Sequence, residues 1–298
     1  MRIAAIDTEL ASASLAQKLA DSGWTVTVRA DRPGRIVLEW EDGQREAVRL
    51  AEQLTAFVLT DWLYEYIQTR VGMRHPYLEM DQREYVTLLV LHGLRHKPDS
   101  PWESCRSRLQ HGMLVALGGG RSGPAHVSVD GVVRFRARRL LVGIDPAIDE
   151  TVHQMQTDQE YEEFVSMLRY ILDAQPASQQ VIHVFCSDER IWLCDAEGNL
   201  VRDNEVSTAA VQVSDGEEVN PEDLAMSILI TRAPCRIVLH DLHRNAPWPT
   251  FAETVTRVFQ ERVRRCEDCS TCQQLRSHLD DPLFSWGDVP MAMPDPYD

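Results

Sequence analysis

The sequence predicts a mixed α/β, or α+β, fold with a small N-terminal α/β unit, a central helical region and a C-terminal β-meander followed by a βαβ unit. Three observations predict this fold. Short apolar runs surround one helical pattern within the first 40 residues. Apolar residues then recur at helical spacing from 48 to 117, and short apolar or alternating runs return from 181 to 203 and from 235 to 240. Periods of about 2 and about 3.6 in one chain indicate strands and helices together.

The first 40 residues are predicted to form a strand, a helix and two further strands. The apolar run RIAAI precedes the helical pattern ASASLAQKLADSG, in which Leu15 and Leu19 share one face and Gly23 ends the helix. The alternating runs WTVTVRA and RIVLEW flank the turn DRPG. This order of elements predicts a small α/β unit.

The region from 48 to 117 is predicted to consist of helices. In the first of them, Leu50 and Leu54 belong to an apolar stripe with steps of three and four residues. A second helix is predicted over 79–96, and a third begins near Pro101.

A glycine-rich stretch, GGGRSGP at 118–124, follows these helices. It formally matches G-x-G-x-x-G, but a dinucleotide-binding loop follows a strand and opens a helix, whereas this stretch follows a helix and ends in proline. It is predicted to be a flexible connector, 118–126, between an N-terminal region, 1–117, and a core domain, 127–278. The acidic, proline-rich tail 279–298 is predicted to be disordered.

The core domain is predicted to open with a short strand, HVSVDG, and a long helical region that Asp145 and Pro146 break or restart. The helix over 160–175 is amphipathic. The runs VIHVFC, RIWLCD and LVRD are separated by short turns, so they are predicted to form a three-stranded β-meander.

A βαβ unit is predicted to follow the meander. The strand CRIVLH comes after a helix with Asn220 at its N-cap and Pro221 at its first position. Thr250 and Glu253 have the spacing of a capping box for the helix FAETVTRVFQERV, and a second strand runs from Arg262 to Cys266. A crossover helix makes the two strands parallel, so both are expected to end at the same edge of the sheet.

The composition restricts the function classes. The formal net charge of −16 is unsuited to general nucleic-acid binding, which needs a basic footprint. The densest basic run, Arg134 to Arg139, is typical of a solvated helix face. Asp7 and Glu9 interrupt the apolar stretch that a signal peptide needs, and no segment reaches 18 apolar residues. We therefore expect a cytoplasmic protein without a membrane span.

Three of the seven cysteines lie in the strip CEDCSTC. Cys266, Cys269 and Cys272 form two overlapping C-x-x-C pairs, a spacing at which two sulfurs can reach one ion from a tight turn. In a reducing compartment, cysteines clustered in this way favour a metal site over a disulfide framework. Zinc is the expected metal because thiolates suit it.

A structural zinc site needs four nitrogen or sulfur ligands, so one ligand must come from outside the strip. His240 and His243 leave the strand CRIVLH at the edge where the cysteine strip is expected. Either of them is the predicted fourth ligand, ahead of His278. Cys235 lies at the opposite end of its strand and is not a candidate.

Three other interpretations of the strip stay open. An iron–sulfur cluster is the alternative cofactor, although Arg276 stands where the ferredoxin run has its fourth cysteine. A thiol redox centre is opposed by Glu267 and Asp268, whose charges disfavour thiolates, and is favoured by Arg264 and Arg265. The cysteines could also be unligated thiols on a surface turn.

No catalytic constellation is evident in the sequence. It contains no G-x-S-x-G or Walker motif. His92 and His96 lie four residues apart on a predicted helix, but the glutamate of H-E-x-x-H does not accompany them. They are interpreted as solvated or capping residues, and the sequence favours a binding protein over an enzyme.

Three ordered stretches resemble the YtxC-like sporulation protein family of spore-forming bacteria. They are DGVVRFRARRLL leading into EYEEFVSMLRYILDAQ, then VIHVFCSDERIWLCDAEGNLV, and finally EDLAMSILITRAPCRIVLHD followed by FAETVTRVFQERVRRCEDCSTC. Together they cover about 127–272. The resemblance implies a sporulation context and no established enzymatic activity.

These observations lead to two hypotheses about function. The first is a cytoplasmic, sporulation-associated binding or scaffold protein with protein partners and a small structural Cys/His metal site. The second is a thiol redox or iron–sulfur protein that uses the CEDCSTC strip.

Overall fold

The computed structural model of the chain describes residues 2–29, 32–40, 43–98, 100–118, 124–188, 190–201, 220–279 and 286. The chain forms two compact units, 1–157 and 158–298. Each unit contains one mixed four-stranded sheet together with helices. The predicted mixed α+β class is therefore confirmed.

The first unit begins with the strand, helix, strand, strand order that the sequence predicts. The predicted helices that begin near 79 and 101 are also present. The elements in chain order are β1 Arg2–Asp7, α1 Ser12–Asp21, β2 Thr25–Val28, β3 Arg35–Trp40, α2 Gln44–Phe57, a π-helical segment Val58–Trp62, α3 Leu63–Arg74, α4 Met80–His96, α5 Trp102–Ala116, β4 Ala125–Ser128, α6 Val129–Arg136, α7 Arg138–Val142 and the beginning of α8 Ile144–Asp173.

The first unit extends to residue 157, beyond the connector 118–126 at which the sequence predicts a boundary. Its strand order is β2–β3–β1–β4, and β4 runs parallel to β1. Ala125 and Val127 of β4 are buried, so this strand completes the first sheet instead of opening a second domain. The predicted connector 118–126 therefore lies within the first unit, which ends at residue 157; residues 119–123 are outside the described ranges.

A buried carboxylate joins three parts of the first unit. Asp130, in the first turn of α6, is 6% exposed. One carboxylate oxygen accepts a hydrogen bond from Trp62 Nε1 at 2.8 Å, and the other accepts one from the backbone N–H of Glu9 at 2.9 Å. Trp62 ends the π-helical segment, which the sequence analysis does not predict.

A second carboxylate in the first unit, that of Asp7 on β1, accepts hydrogen bonds from a neighbouring strand. Asp7 Oδ1 accepts from Arg35 Nε and Asp7 Oδ2 from an Arg35 terminal nitrogen, both at 2.6 Å. His126 Nε2 lies 2.6 Å from Asp7 Oδ2. The hydrogen bond from Arg35, assisted by His126 and opposed by burial, lowers the pKa of Asp7 from 3.8 to about 2.

This depressed pKa predicts a pH-dependent effect of the substitution Asp7→Asn. The carboxylate contributes stability above its unfolded-state pKa of 3.8, and the contribution is lost as the pH falls toward 2. Because the side chain is partly exposed, we expect Asp7→Asn to cost about 1 kcal/mol at about pH 6 and roughly half of that at about pH 3. Urea unfolding at both pH values checks this, with the exposed Asp21→Asn as control; a cost that does not depend on pH would contradict it.

The second unit consists of the end of α8 and a sheet with its covering helices. Asp145 and Pro146 lie in the first turn of α8, where proline is tolerated, so the predicted restart is at Ile144. The remaining elements are β5 Ser178–Cys186, β6 Ile191–Cys194, α9 Pro221–Arg232, β7 Pro234–Asp241, α10 Phe251–Phe259, a 3₁₀ turn Gln260–Arg262, β8 Val263–Arg265 and α11 Ser270–His278. Apart from Leu279 and Trp286, the predicted disordered tail lies outside the described residues.

The sheet of the second unit has the order β6–β5–β7–β8. Strands β5, β7 and β8 are parallel and β6 is antiparallel to β5. Among the described residues, the predicted three-stranded meander is present as a hairpin of β5 and β6 and one isolated bridge, between Cys194 and Leu200; residues 202 and 203 of the predicted third strand lie outside the described ranges. The intervening chain forms a tight turn instead, in which the Asp195 carboxylate accepts from the backbone N–H of Asn199 and Gly198 has a φ of +86°.

The helix ends of the second unit follow the sequence signals in part. The Asn220 side chain caps α9 as predicted. Thr250 Oγ1 accepts from the backbone N–H of Glu253 at 3.2 Å, but the Glu253 carboxylate pairs with Arg257, so the capping box is half formed. The positive φ of Gln260, 48°, ends α10 earlier than predicted. No helix in the described ranges has the length and apolar character to cross a membrane.

Candidate metal centre

The candidate site lies at the edge of the second sheet where the parallel strands β7 and β8 end. The two strands are joined by α10 and pair in parallel, with Leu239 opposite Arg265, as the crossover rule predicts. The pairing continues one residue further, because the backbone N–H of Cys266 donates to the carbonyl oxygen of Leu239 at 2.9 Å. His240, near the end of β7, and Cys266, directly after β8, therefore lie at the same edge of the sheet.

Four side chains converge at this edge. The donor atoms of Cys266, Cys269, Cys272 and His240 all lie within 4.8 Å of one another. His240 Nδ1 is 3.2 Å from Cys272 Sγ and 3.7 Å from Cys269 Sγ. The Sγ–Sγ distances are 3.6 Å for Cys269–Cys272 and 4.0 Å for Cys266–Cys272. A tetrahedral site with bonds of about 2.3 Å has edges of about 3.8 Å, so these separations suit one tetrahedral ion.

The turn between β8 and α11 brings the sulfurs together. Asp268 adopts a left-handed conformation with a φ of 74°, and the backbone N–H of Cys269 donates to Cys266 Sγ at 3.3 Å. Cys269 is the N-cap of α11, and Cys272 lies in the first turn of this helix. Backbone N–H groups and a helix N-terminus both stabilise negative charge on sulfur.

Apolar side chains enclose the group. The Phe185 ring stacks on the His240 ring with centroids 3.9 Å apart and planes 9° apart. Phe185, Leu275 and Trp286 form a small buried cluster with Cys272. His240 has no exposed surface and Cys272 is 2% exposed, whereas Cys266 and Cys269 are half-buried, so two of the four donors are withdrawn from water.

Burial determines the protonation of these side chains. It lowers the pKa of His240 to about 3, so the imidazole is neutral at neutral pH and keeps one lone pair. Burial also raises the pKa of Cys266 and, together with the neighbouring sulfurs, that of Cys272. Reactive redox thiols have depressed pKa values, whereas the pKa values of Cys266 and Cys272 are raised, and a bound cation would favour their thiolate forms.

His243, the other predicted ligand, belongs to a different group. Its Nδ1 lies 2.8 Å from Asp241 Oδ1, and its donor atom lies within 4.8 Å of those of Asp241 and Cys186. Cys186 and Asp241 pair across β5 and β7, one position beyond the pair Phe185 and His240. Because successive strand residues point to opposite faces, this second group is on the other face of the sheet.

The remaining predicted candidates lie away from the four-residue group. His278 ends α11 and is not a member of it. Cys235 lies near the start of β7, is exposed, and its Sγ is 3.3 Å from the carbonyl oxygen of Gln180. This position agrees with the expectation that Cys235 is at the wrong end of its strand.

His183 is a neighbour of the site that the sequence analysis does not identify. It lies on β5, is fully buried, and its Nδ1 is 3.0 Å from His240 Nε2. The sequence signal was a histidine within the apolar run VIHVFC, on the same strand face as Phe185. A histidine in an apolar run is as typical of an ordinary core residue as of a neighbour of a metal ligand, so this signal alone does not identify His183.

The first unit contains a cleft of about 750 Å³, lined by residues of α1, the π-helical segment, α3 and α4 and by Trp102. Within it, the Asp61 carboxylate accepts from Ser14 Oγ at 2.8 Å and forms an ion pair with Lys18. The rings of His92 and His96 stack with centroids 4.3 Å apart, and His96 Nδ1 is 3.0 Å from the carbonyl oxygen of His92. These contacts agree with the interpretation of both histidines as solvated or capping residues.

The chain is thus a mixed α/β protein with a partly buried Cys/His group that could hold a metal ion. The model of the YtxC-like family matches residues 49–264, which is well over half of the chain. The chain therefore belongs to the YtxC-like family. The matched range includes His183 and His240 and ends two residues before Cys266.

The family match begins within α2, at residue 49. It therefore extends further towards the N-terminus than the sequence resemblance, which covers about 127–272. No curated protein and no solved structure matches the chain.

Proposed function

We propose that this member of the YtxC-like family is a sporulation-associated, cytoplasmic protein that acts by binding a protein partner and that contains one structural zinc ion. The proposed ligands are Cys266, Cys269, Cys272 and His240. Family membership fits the sporulation context, and seven free cysteines fit a reducing compartment. The net charge of −16 favours a partner with a basic surface.

The convergence of four donor atoms within 4.8 Å is the observation that carries the zinc proposal. Three thiolates and one imidazole are soft to borderline ligands, which suit zinc and disfavour magnesium and calcium. Four protein ligands fill a tetrahedral site, whereas catalytic zinc keeps one position open for water or substrate. The donor set therefore supports a structural ion.

A zinc ion at this position would join three elements of the second unit. His240 comes from β7, Cys266 follows β8, and Cys272 belongs to α11. The helix α11 buries only Thr271, Cys272 and Leu275 among its nine residues. Such a short helix gains little from apolar burial, so a metal link to the sheet would supply much of its stability.

The alternative function is that of a thiol redox or iron–sulfur protein. The 3.6 Å separation of the Cys269 and Cys272 sulfurs is the observation that favours it, because a short movement would bring them to disulfide distance. An iron–sulfur protein is coloured and loses its colour in air, whereas a zinc protein is colourless in both conditions.

Metal content and the visible spectrum, measured on protein purified with and without oxygen, distinguish these functions. We expect one zinc ion per chain and no visible absorption in both preparations. A brown protein that bleaches in air would support a cluster. A metal-free protein with titratable thiols at Cys266, Cys269 and Cys272 would contradict both metal sites.

A further inference from the structure

His183 occupies a defined position behind the proposed metal ligand His240. In the parallel pair β5–β7, His183 is opposite Val238 and Phe185 is opposite His240, so the two histidines are diagonal neighbours on one face of the sheet. Their rings stack with centroids 5.4 Å apart and planes 26° apart. His183 Nδ1 and His240 Nε2 are 3.0 Å apart, which is a hydrogen-bond distance.

We propose that His183 is a positioning residue for the metal centre. By accepting a hydrogen bond from His240 Nε2–H, it selects the His240 tautomer whose Nδ1 lone pair faces the cysteine sulfurs. This inference rests on the proposed function, because it assigns a role to His183 only if His240 binds a metal ion.

The direction of this hydrogen bond follows from counting protons. Each neutral imidazole carries one N–H, and the contact between His183 Nδ1 and His240 Nε2 needs exactly one proton. A metal ion bound at His240 Nδ1 excludes a proton there, so the His240 proton must be on Nε2. His240 is then the donor and His183 Nδ1 the acceptor, which leaves the proton of His183 on its own Nε2.

The metal-free protein allows the opposite arrangement. His240 Nδ1 lies 3.2 Å from Cys272 Sγ, so it can carry the proton and donate to sulfur. His240 Nε2 would then accept from His183 Nδ1–H. Metal binding therefore selects one of two possible directions of the histidine–histidine hydrogen bond, and the tautomer that results can be measured.

The surroundings of His183 make this hydrogen bond specific. His183 is fully buried, and within the described residues its Nε2 has no hydrogen-bond partner. The contact with His240 is thus the hydrogen bond that orients the His183 ring in the described structure. Phe185, stacked on His240, restricts the plane of the ligand ring. Outer-shell partners of metal-bound histidines fix tautomer and orientation in this way.

Zinc affinity of two matched variants tests the proposal. His183→Leu retains apolar volume but removes the acceptor, whereas the side-chain oxygen of His183→Asn can take the place of Nδ1. Loss of an outer-shell partner typically weakens metal binding by about 10–100-fold. We expect that loss for His183→Leu and a change of no more than about threefold for His183→Asn, in competition titrations of zinc against a chromophoric chelator.

A third variant separates positioning from general destabilisation. Val184 is fully buried on the opposite face of β5 and belongs to a different apolar cluster from Phe185. Val184→Ala should lower the melting temperature and leave zinc affinity unchanged. A loss of affinity in Val184→Ala equal to that in His183→Leu would show that the affinity follows stability, and it would overturn the proposal.

Nitrogen-15 NMR of the full chain with zinc gives a second readout. We expect His240 to be protonated at Nε2 and metal-bound at Nδ1. An unprotonated His240 Nε2, or zinc affinity in His183→Leu equal to that of the unmodified chain, would overturn the positioning role and leave the zinc site in place. Failure of the unmodified chain to bind zinc would overturn the zinc site and, with it, the role of His183.

Discussion

Replacing Cys269 by serine is expected to lower the melting temperature of the second unit by roughly 10 °C, because it removes one of four zinc ligands. Loss of structural metal removes folding free energy directly. A cost of about 3 kcal/mol corresponds to a shift of this size in a unit of this length. Scanning calorimetry of the full chain with bound zinc measures it.

Cys235→Ser is the matched control for Cys269→Ser. Cys235 is an exposed cysteine near the opposite end of β7, so its replacement should shift the melting temperature by no more than about 2 °C. Equal melting temperatures for Cys269→Ser and the unmodified chain would contradict a structural metal centre. We would expect equal melting temperatures if Cys269 were a half-buried thiol that binds no metal ion, because serine would then replace it at little cost.

Replacing Asp130 by alanine is expected to destabilise the first unit by about 3 kcal/mol. The substitution removes the acceptor of two hydrogen bonds, from Trp62 Nε1 and from the backbone N–H of Glu9. Trp62 is 2% exposed, so its indole N–H cannot readily exchange the lost partner for water. Urea unfolding followed by tryptophan fluorescence measures the change.

Two further variants serve as comparisons for the stability of Asp130→Ala. Asp149→Ala breaks a partly exposed ion pair with Arg74 and a 3.0 Å contact with His75 Nε2 in the same unit, and exposed pairs contribute less than about 1 kcal/mol each. Asp130→Asn can accept only one of the two hydrogen bonds and should have an intermediate effect. Equal stabilities of Asp130→Ala and Asp149→Ala would show that the buried carboxylate is not a link in the fold.

The convergence at the candidate site could be predicted because it depends on one local rule. A helix between two strands of one sheet makes them parallel, so the residues after CRIVLH and after the next strand share an edge. His240 is the last residue of CRIVLH and lies one residue before the end of β7, and Cys266 directly follows β8. The spacing of the three cysteines then needs only a tight turn, which the left-handed Asp268 provides.

The choice between His240 and His243 could not be made in this way. It depends on which face of the sheet each side chain occupies, and that requires the register of β7 and the point at which the strand ends. His240 shares a face with Phe185, whereas His243, beyond the strand end, lies beside Asp241 and Cys186. His183 depends on a further nonlocal fact, the pairing of β5 with β7.

The fold was predictable where the pattern is local and not where pairing is distant. The helices follow from apolar spacing, and Leu50 and Leu54 are fully buried as predicted. The strand β4 is separated from its partner β1 by more than a hundred residues, and no local signal identifies such a partner. A glycine-rich stretch before β4 therefore appeared to divide domains although it lies within one.

X-ray absorption spectroscopy at the zinc edge identifies the atoms that bind the proposed ion. The proposed ligands predict a first shell of three sulfurs at about 2.3 Å and one nitrogen at about 2.0–2.1 Å. In His240→Ala, the nitrogen from imidazole should disappear while the three sulfurs remain. A shell of oxygen and nitrogen alone, or one with fewer than three sulfurs in the unmodified chain, would contradict a zinc centre formed by Cys266, Cys269, Cys272 and His240.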